Sequence, residues 1–245
     1  MIALINVEWL KLRTTRAPWF LLLGAVALVV AGVSGAASHA SNLADPGTVA
    51  LAASHVGLVS MLSLVLGVLV VAGEFRHKTI TDTYLSTPRR SAVVVAKLAV
   101  SSGMGLLYGL VSAGVALVAI TMWWKIKNAP LDLAGADLWR TLIGGVGWNV
   151  GFAAIGVGVG ALVRNLTAAI AFALVWVAVV EGVVGQLLGD LARWLPFASG
   201  TALGKGPTLG SYAPISQWEA AIALVCYAAL FALIATYTSV QRDVS

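Results

Sequence analysis

Charged residues are scarce in this sequence. Only 10% of its 245 residues are Asp, Glu, Lys or Arg, whereas 60% are hydrophobic; soluble domains average about 25% charged and about 45–50% apolar residues. The apolar residues are concentrated in runs of about 20 or more, which is the length of a membrane-spanning helix. Since a soluble domain of this size cannot bury so much apolar surface, the composition predicts an integral membrane protein.

Residues that bind metals or form disulfides are equally rare. Cys226 is the single cysteine, so an internal disulfide is excluded. The three histidines, His39, His55 and His77, are far apart in the sequence, and there is no Cys/His cluster. We therefore expect no metal site. No Ser-His-Asp or Cys-His arrangement points to a nucleophilic enzyme either.

A nucleotide-binding loop is also missing. A phosphate loop has four residues between its glycines, followed by Lys and then Ser or Thr. In GTALGKGPT (200–208) only three residues separate the two framing glycines, and Gly206 stands where Ser or Thr is needed. The glycines of GVGVG (156–160) lie inside an apolar run with no preceding strand. The sequence therefore predicts no ATP-hydrolysing machinery in this chain.

What the sequence does contain is six apolar runs. They predict an all-α membrane protein, a single domain over residues 1–245, with six transmembrane helices and an uncleaved first span. The third run is longer than a bilayer requires, so it must tilt or protrude into water. The predicted spans are 18–37, 50–72, 92–122, 138–163, 167–188 and 217–240. Glycine pairs at small-xxx-small spacing predict close helix packing: Gly105/Gly109, Gly147/Gly151, Gly156/Gly160 and Gly185/Gly189.

Two further segments are too polar or too broken to be spans. Residues 1–16 predict either an interfacial helix or a simple positively charged anchor. The apolar face of such a helix would contain Ile2, Ile5, Trp9 and Leu12, with Glu8 and Lys11 off it. In 189–216, Gly and Pro interrupt the apolar pattern. That segment predicts a short extracellular interfacial or re-entrant element followed by a surface loop.

The distribution of basic residues predicts the orientation. With six spans both termini share one side, and ten Lys and Arg lie there against five on the other, so both termini are expected inside. The net charge of +5 then suits lipid headgroups better than nucleic acid. The inner set is Lys11, Arg13, Arg16, Arg76, Lys78, Arg89, Arg90, Lys97, Arg164 and Arg242; the outer set is Lys125, Lys127, Arg140, Arg193 and Lys205.

A polar island, GEFRHKTITDTYLSTPRRSAVVVAK (73–97), separates the second and third spans. Pro88 disfavours helical geometry at the residue before it, and about fourteen residues, enough for three to four helical turns, separate it from the second span. Glu74 near the start of such a helix would complement the helix dipole. The island therefore predicts a short cytoplasmic helix at 74–87. A basic loop that merely follows the positive-inside rule is the alternative.

The island resembles the first cytoplasmic loop of ABC-2 type permeases, the membrane subunits of ATP-driven exporters. In that family the second span often ends in a Glu-aromatic-x-x-Gly-Thr pattern. A short coupling helix, a Pro and basic residues follow, and a Lys enters the third span; Lys78 stands here where glycine is common. The wider resemblance covers nearly the whole chain, from the basic N-terminal segment to the broken elements between spans five and six. The matching residues are Glu74, Phe75, Thr79, Pro88, Arg89, Arg90 and Lys97.

The resemblance implies a transport subunit that is not an enzyme by itself. Two copies of a separate cytoplasmic ABC ATPase would dock against 74–87, with the N-terminal segment and the Arg164–Asn165 loop as further contacts. ATP and Mg²⁺ would be bound by that partner, and no cofactor by this chain. The permease would pair with itself or a close relative, a homodimer being expected, in a bacterial plasma membrane. The residues expected to couple to the ATPase are Glu74, Phe75, Arg76, Thr79, Asp82, Tyr84, Arg89 and Arg90.

The candidate substrate pathway is defined less sharply. Glu181 is the ionisable residue deepest inside a span, so it either meets a cationic substrate or proton, or hydrogen-bonds a neighbouring helix or lies near the outer headgroups. Asn149 is either an interhelical hydrogen-bonding group or a ligand. Phe152, Phe172 and Trp176 suit a lipophilic substrate as well as ordinary packing. A lipophilic or amphipathic cargo (drug, antibiotic or lipid) is expected; a sodium or polysaccharide exporter and a self-contained secondary transporter are the alternatives.

Overall fold

The computed structural model describes residues 1–87, 89–208, 210 and 212–241. Within these residues the secondary structure is helical, and no strand occurs. Six segments are long and apolar enough to cross a membrane, by length and composition, which confirms the predicted all-α chain with six candidate spans. They are Ala17–His39, Pro46–Arg76, Arg90–Ile126, Ala136–Val163, Leu166–Leu187 and Gln217–Tyr237.

Two of the six spans are broken helices. The described helices are α1 (Ile2–Thr14), α2 (Ala17–His39), α3 (Pro46–Leu58), α4 (Ser60–Arg76), α5 (Ile80–Ser86), α6 (Arg90–Ile126), α7 (Ala136–Val163), α8 (Leu166–Val175), α9 (Glu181–Leu187), α10 (Pro196–Leu203) and α11 (Gln217–Gln241). The second span is α3 followed by α4, which meet at Val59. In the fifth span a π-helical turn, Trp176–Val180, joins α8 to α9.

Local sequence explains several of the helix starts. The side chain of Asp45 caps α3 by accepting a hydrogen bond from the Gly47 amide, and Asn165 caps α8 by accepting one from the Ala168 amide. Proline occupies the first turn of α2, α3 and α10, where its missing N–H costs nothing. At 37 residues, α6 is roughly 55 Å long, so it extends beyond a 30 Å hydrocarbon core as its sequence predicts.

Contacts between the helix termini show which termini lie together at each end of the bundle. At one end, which we call the α5 end, Lys97 near the start of α6 pairs with Glu8 of α1, and Ala235 of α11 packs in one cluster with Val71 and Val94. At the other, the loop end, the indole N–H of Trp124 donates to the carbonyl of Leu43. Helix α6 therefore runs from the α5 end to the loop end, and α1 and the Ala235 turn of α11 lie at the α5 end.

Helix α7 lies at the centre, packed against α3, α4, α6 and α11, and glycines let it approach its neighbours. A Cβ on Gly67 of α4 would overlap the carbonyl oxygen of Ala153, and one on Gly156 would overlap that of Leu64. On the side of α7 that faces α11, a Cβ on Gly158 would overlap the Cβ of Phe231. Backbones this close pack without intervening side chains, as in other membrane helix pairs. Of the predicted glycine pairs, Gly156/Gly160 packs closely against α4 and Gly105/Gly109 against α7. The pairs Gly147/Gly151 and Gly185/Gly189 make no such close approach.

The structure corrects the bounds of the helix predicted at 74–87. Helix α4 continues past Gly73 to Arg76, so Glu74 lies in the last turn of the span rather than in the first turn of a new helix. The chain then turns at Lys78, whose φ of 57° is left-handed, and α5 begins at Ile80. Helix α4 continues to Arg76 because Glu74 forms ion pairs inside the bundle. Pro88 lies outside the described residues.

The segment predicted as re-entrant or interfacial, 189–216, contains two short helices. A 3₁₀ helix, Gly189–Trp194, leads into α10, Pro196–Leu203. Helix α10 packs against α7 and α11, and most of its residues are buried. It therefore forms part of the bundle at the loop end.

The glycine contacts between α4 and α7 predict a selective loss of stability. Gly67→Ala should destabilise the fold by about 1–3 kcal/mol, because the new methyl group forces the two backbones apart. Gly73→Ala, in the same helix, meets nothing within 4 Å and should be neutral or slightly stabilising, since alanine favours helix by about 0.5–1 kcal/mol. Thermal unfolding of the detergent-solubilised variants measures both; equal melting temperatures for the pair would contradict this packing.

Candidate functional site

A buried lysine organises the α5 end. Lys97, near the start of α6, is only 1% exposed. Its Nζ lies 2.7 Å from Oε2 of Glu8 and 2.7 Å from Oε1 of Glu74, and it also donates to the carbonyl oxygen of Val70 at 3.2 Å. A buried ammonium group is tolerated only when it is paired and hydrogen-bonded. Lys97 meets this condition by drawing together α1, α4 and α6.

A second lysine completes the cluster from the solvent side. The Nζ of Lys11 lies 2.8 Å from Oε1 of Glu8 and 2.7 Å from Oε1 of Glu74. Burial lowers the pKa of Lys11, but the hydrogen bonds and charges of Glu74 and Glu8 outweigh it and raise the pKa above the ordinary value. A raised lysine pKa means that the ion pairing is fully present at neutral pH and is lost only as the pH rises through that pKa.

These four residues, Glu8, Lys11, Glu74 and Lys97, form what we call the charge cluster. Two carboxylates face two ammonium groups, so the formal charges cancel. Lys11 extends the cluster to α5, because its Nζ also donates to the hydroxyl of Thr83 at 3.3 Å. One connected set of polar contacts thus joins α1, the end of the second span, α5 and the start of the third span.

Helix α5 has one anchored and one exposed side. Ile80 is 2% exposed and fixes the start of the helix to the bundle. The Arg90 guanidinium lies 5.1 Å from the ring centre of Tyr84, which holds the far end of α5 against α6. In contrast Thr81, Asp82 and Leu85 are exposed, and 78% of Leu85 is accessible. This side of α5 is a small mixed polar and apolar surface.

The loop between α7 and α8 reaches the same region. Arg164 adopts a left-handed conformation at the end of α7, and its guanidinium lies 5.3 Å from the ring centre of Phe75 in α4. A cation over an aromatic face is attracted by the ring quadrupole. The end of the fourth span is therefore in contact with the end of the second, next to the charge cluster.

Asn149 links α7 to both halves of the broken second span. Its Oδ1 accepts a hydrogen bond from Ser63 Oγ in α4 at 2.7 Å, and its Nδ2 donates to the carbonyl oxygen of Val56 in α3 at 3.0 Å. The side chain is fully buried. Amide groups in membrane helices commonly bridge helices in this way. The contacts agree with an interhelical hydrogen-bonding role for Asn149.

Glu181 holds the N-terminus of α10. The backbone amide of Phe197 donates to both carboxylate oxygens at 2.9 Å, and that of Ala198 donates to Oε2 at 3.1 Å. The indole of Trp176 donates to Oε1 at 3.2 Å. The first amides of a helix have no partner within the helix, and a carboxylate is well placed to accept from them. These contacts agree with the alternative in which Glu181 hydrogen-bonds a neighbouring helix. That helix is α10.

Comparison with known proteins identifies a family. The family model described as ABC-2 family transporter protein matches residues 4–180. The chain belongs to the ABC-2 transporter family. No curated protein matches it. ABC-2 proteins are membrane transport components and normally work with an ABC ATPase. The six spans and the family together make this chain a multi-pass membrane protein.

The residues predicted to couple this ABC-2 protein to an ATPase fall into three groups. Glu74 belongs to the charge cluster. Phe75, Tyr84 and Arg90 are half-buried and make the ring contacts described above. The exposed group comprises Arg76, Thr79, Asp82 and Arg89. The structure thus brings the predicted set to one end of the molecule but exposes only part of it.

Three residues of this region were missed or misplaced by sequence reasoning. Glu8 was placed off the apolar face of α1 and no partner was predicted for it, yet it is only 4% exposed and pairs with Lys97. Lys11 and Thr83 were not expected to contact each other. A signal existed for Glu8: a lysine entering a span requires a carboxylate, and Glu8 lies one helical turn from the buried Leu12. The ion pair with Lys97 accounts for the burial of Glu8.

The aromatic residues of the predicted pathway differ in exposure. Phe152 is buried against the ring of Trp148, with 5.7 Å between ring centres. Phe172 is 46% exposed on the outside of the fifth span, and its ring centre lies 6.0 Å from that of Trp176. Trp176 packs against the hydrophobic cluster that contains Phe152, whereas Phe172 lies outside that cluster. Among the described residues, no three His, Cys, Asp or Glu side chains cluster in a way that could hold a metal ion.

The charge cluster predicts a large and specific destabilisation. Lys97→Met leaves two buried carboxylates with one ammonium group, and removing one partner of a buried pair costs about 3–5 kcal/mol. Lys97→Met combined with Glu8→Gln leaves Lys11 and Glu74 as a balanced pair and should recover much of that loss. Thermal unfolding of the single and double variants tests this. A double variant no more stable than Lys97→Met would show that charge balance is not what holds α1 in place.

The Glu181 contact predicts loosening of α10. Glu181→Ala leaves the amides of Phe197 and Ala198 without an acceptor, at a cost of about 1–3 kcal/mol for a buried unsatisfied group. Hydrogen exchange in 196–203 should become faster, with little change in α1. Glu181→Gln keeps one acceptor oxygen and should show a smaller effect. Unchanged exchange of α10 in Glu181→Ala would mean that other contacts hold the helix.

Proposed function

We propose that this chain is the permease subunit of an ATP-driven exporter whose ATPase is a separate cytoplasmic protein. The observation that carries the proposal is the attachment of α5. Its exposed side offers Asp82 and Leu85 to a partner, while Thr83 on its inner side is hydrogen-bonded to Lys11 of the charge cluster. A force on α5 is therefore applied directly to α1 and to the ends of the second and third spans.

Movement of α4 can then reach the centre of the bundle. Gly67 and Gly156 bring the backbones of α4 and α7 into contact, and Asn149 ties α7 to both halves of the second span. Helix α7 in turn packs against α10 and α11. Since tightly packed helices move as units, ATP-driven displacement of α5 would be passed through α4 and α7 to the loop end, where the path to the outside opens.

The basic residues support placing the α5 end in the cytoplasm. Nine of the ten Lys and Arg expected on the inner side belong to described residues, and the tenth, Arg242, lies outside them. An excess of Lys and Arg marks the cytoplasmic side of a membrane protein. The proposal therefore places both termini on the inner side of a bacterial plasma membrane. We propose two ATPase subunits and a permease homodimer, with ATP and Mg²⁺ bound by the ATPase and no cofactor bound by this chain.

The proposed cargo is lipophilic or amphipathic, such as a drug, an antibiotic or a lipid. Support comes from the spans, which are mostly aliphatic, and from Glu181, whose carboxylate is engaged by α10 rather than left to meet a cation. A sodium or polysaccharide exporter, and a secondary transporter that needs no ATPase, are the alternatives.

Reconstitution tests the proposed energy source. The chain is placed in proteoliposomes with and without an ABC ATPase encoded beside it, and ATP-dependent efflux of an uncharged lipophilic fluorescent dye is followed. Transport is expected only with both proteins and ATP. Transport by the chain alone, driven by an ion gradient, would identify a secondary transporter and overturn the proposal.

Substitution of the exposed side of α5 tests the docking site. Leu85→Asp should weaken ATPase binding by about tenfold or more, because an exposed apolar anchor at an interface is replaced by a charge. Leu191→Asp makes the same change at an exposed leucine of the loop end and should leave binding intact. Pull-down of the ATPase with each variant, at equal thermal stability, gives the result. Equal binding by both variants would exclude α5 as the docking element.

A further inference from the structure

A cavity of about 550 Å³ opens beside the charge cluster. It lies between α1, the turn leading into α2, the end of α4 and the start of α8. Much of its wall is apolar and includes Leu12, Leu69 and Leu166. Its ionisable lining consists of Glu8, Lys11, Arg16, Glu74 and His77. The cavity is therefore amphipathic: one side is apolar, and on the other Lys11 is paired with Glu8 and Glu74, whereas Arg16 is available to a ligand.

The cavity has one positive charge that the protein does not neutralise. Within the charge cluster, the two lysines balance the two glutamates. Arg16 is additional, and its guanidinium forms no ion pair in the part of the chain that the structure describes. The lining and the neighbouring Lys97 thus sum to one positive charge. A ligand with a single negative charge would complete the balance.

The position of Arg16 indicates the kind of anion. Arg16 immediately precedes Ala17, where the first span begins, so it lies at the depth of the lipid headgroups. The apolar wall continues from there toward the spans through Pro18 and Leu69. A free inorganic anion would leave this wall in contact with water, whereas a phospholipid covers it with an acyl chain. Basic pockets between membrane helices are suited to anionic headgroups.

We propose that this cavity binds one anionic phospholipid, with its phosphate against Arg16 and Lys11 and an acyl chain along Leu12 and Leu69. The site would be occupied from the leaflet at the α5 end. Because Lys11 also contacts Thr83, the bound lipid would touch the same lysine that holds α5. The proposal stands without the proposed function, since it concerns lipid binding by the isolated chain.

Native mass spectrometry of the purified full chain tests the site. The chain in detergent is titrated with phosphatidylglycerol, and the fraction carrying one lipid is measured. Arg16→Gln should weaken binding roughly fivefold, as expected for one cation near a phosphate. Arg13→Gln makes the same change one turn earlier, at an exposed arginine that does not line the cavity, and should bind as the unsubstituted chain does. Equal weakening by both variants would show diffuse surface attraction and overturn the site.

Two further measurements distinguish a bound phospholipid from other ligands. Ala17→Trp fills the mouth of the cavity without changing the charge, and it should abolish the one-lipid species while the protein still melts cooperatively. Phosphatidylcholine, which is zwitterionic, should bind more weakly than phosphatidylglycerol. Equal retention of the two lipids, or lipid binding unaffected by Ala17→Trp, would overturn the proposal. Glycerol phosphate competing as well as the whole lipid would identify a soluble phosphate ligand instead and would also overturn it.

Discussion

The need to neutralise one buried lysine shapes the α5 end. Lys97 is almost completely buried, and an isolated ammonium group would be prohibitively costly there. Its two carboxylate partners come from α1 and α4, so neither helix can leave without exposing an uncompensated charge. Lys11 then balances the second negative charge and reaches α5 through Thr83. A short helix with little buried surface of its own is in this way fixed to three larger elements.

At the loop end a buried carboxylate is also satisfied by groups from another helix, but the donors are backbone amides rather than lysines. There Glu181 of the fifth span accepts hydrogen bonds from the first amides of α10, as Glu74 of the second span accepts them from the lysines at the α5 end. Glu181 holds α10 directly, whereas Glu74 holds α1 through Lys11, and Lys11 in turn contacts α5. Helix α7 connects the two regions, since its glycines allow backbone contact with α4 and its loop-end half packs against α10. Because the chain belongs to the ABC-2 family, this arrangement is that of a membrane transport component.

Much of the fold follows from composition. The apolar runs are long enough to leave few alternatives to six helices, because backbone groups in hydrocarbon must be satisfied within the segment. The island at 73–97 was informative because the order of acidic, aromatic and basic residues in it resembles a family pattern. Its helix bounds were not predictable to the residue, since Glu74 can begin a helix by its effect on the dipole or end one by pairing inside the bundle. The contact with Lys97 decides between these, and α4 therefore ends at Arg76.

The sequence alone determined that the chain is a six-span, all-helical membrane protein and which family it resembles. These properties depend on local composition and residue spacing, which the linear sequence shows directly. Tertiary structure alone decided that Glu8 is buried, that Lys11 meets Thr83, that Asn149 joins both halves of the second span and that Glu181 caps α10. Each of these contacts joins residues from different elements, most of them far apart in the chain, and the low dielectric of the interior leaves each buried charge or amide few partners. Which partner it finds depends on how the helices pack.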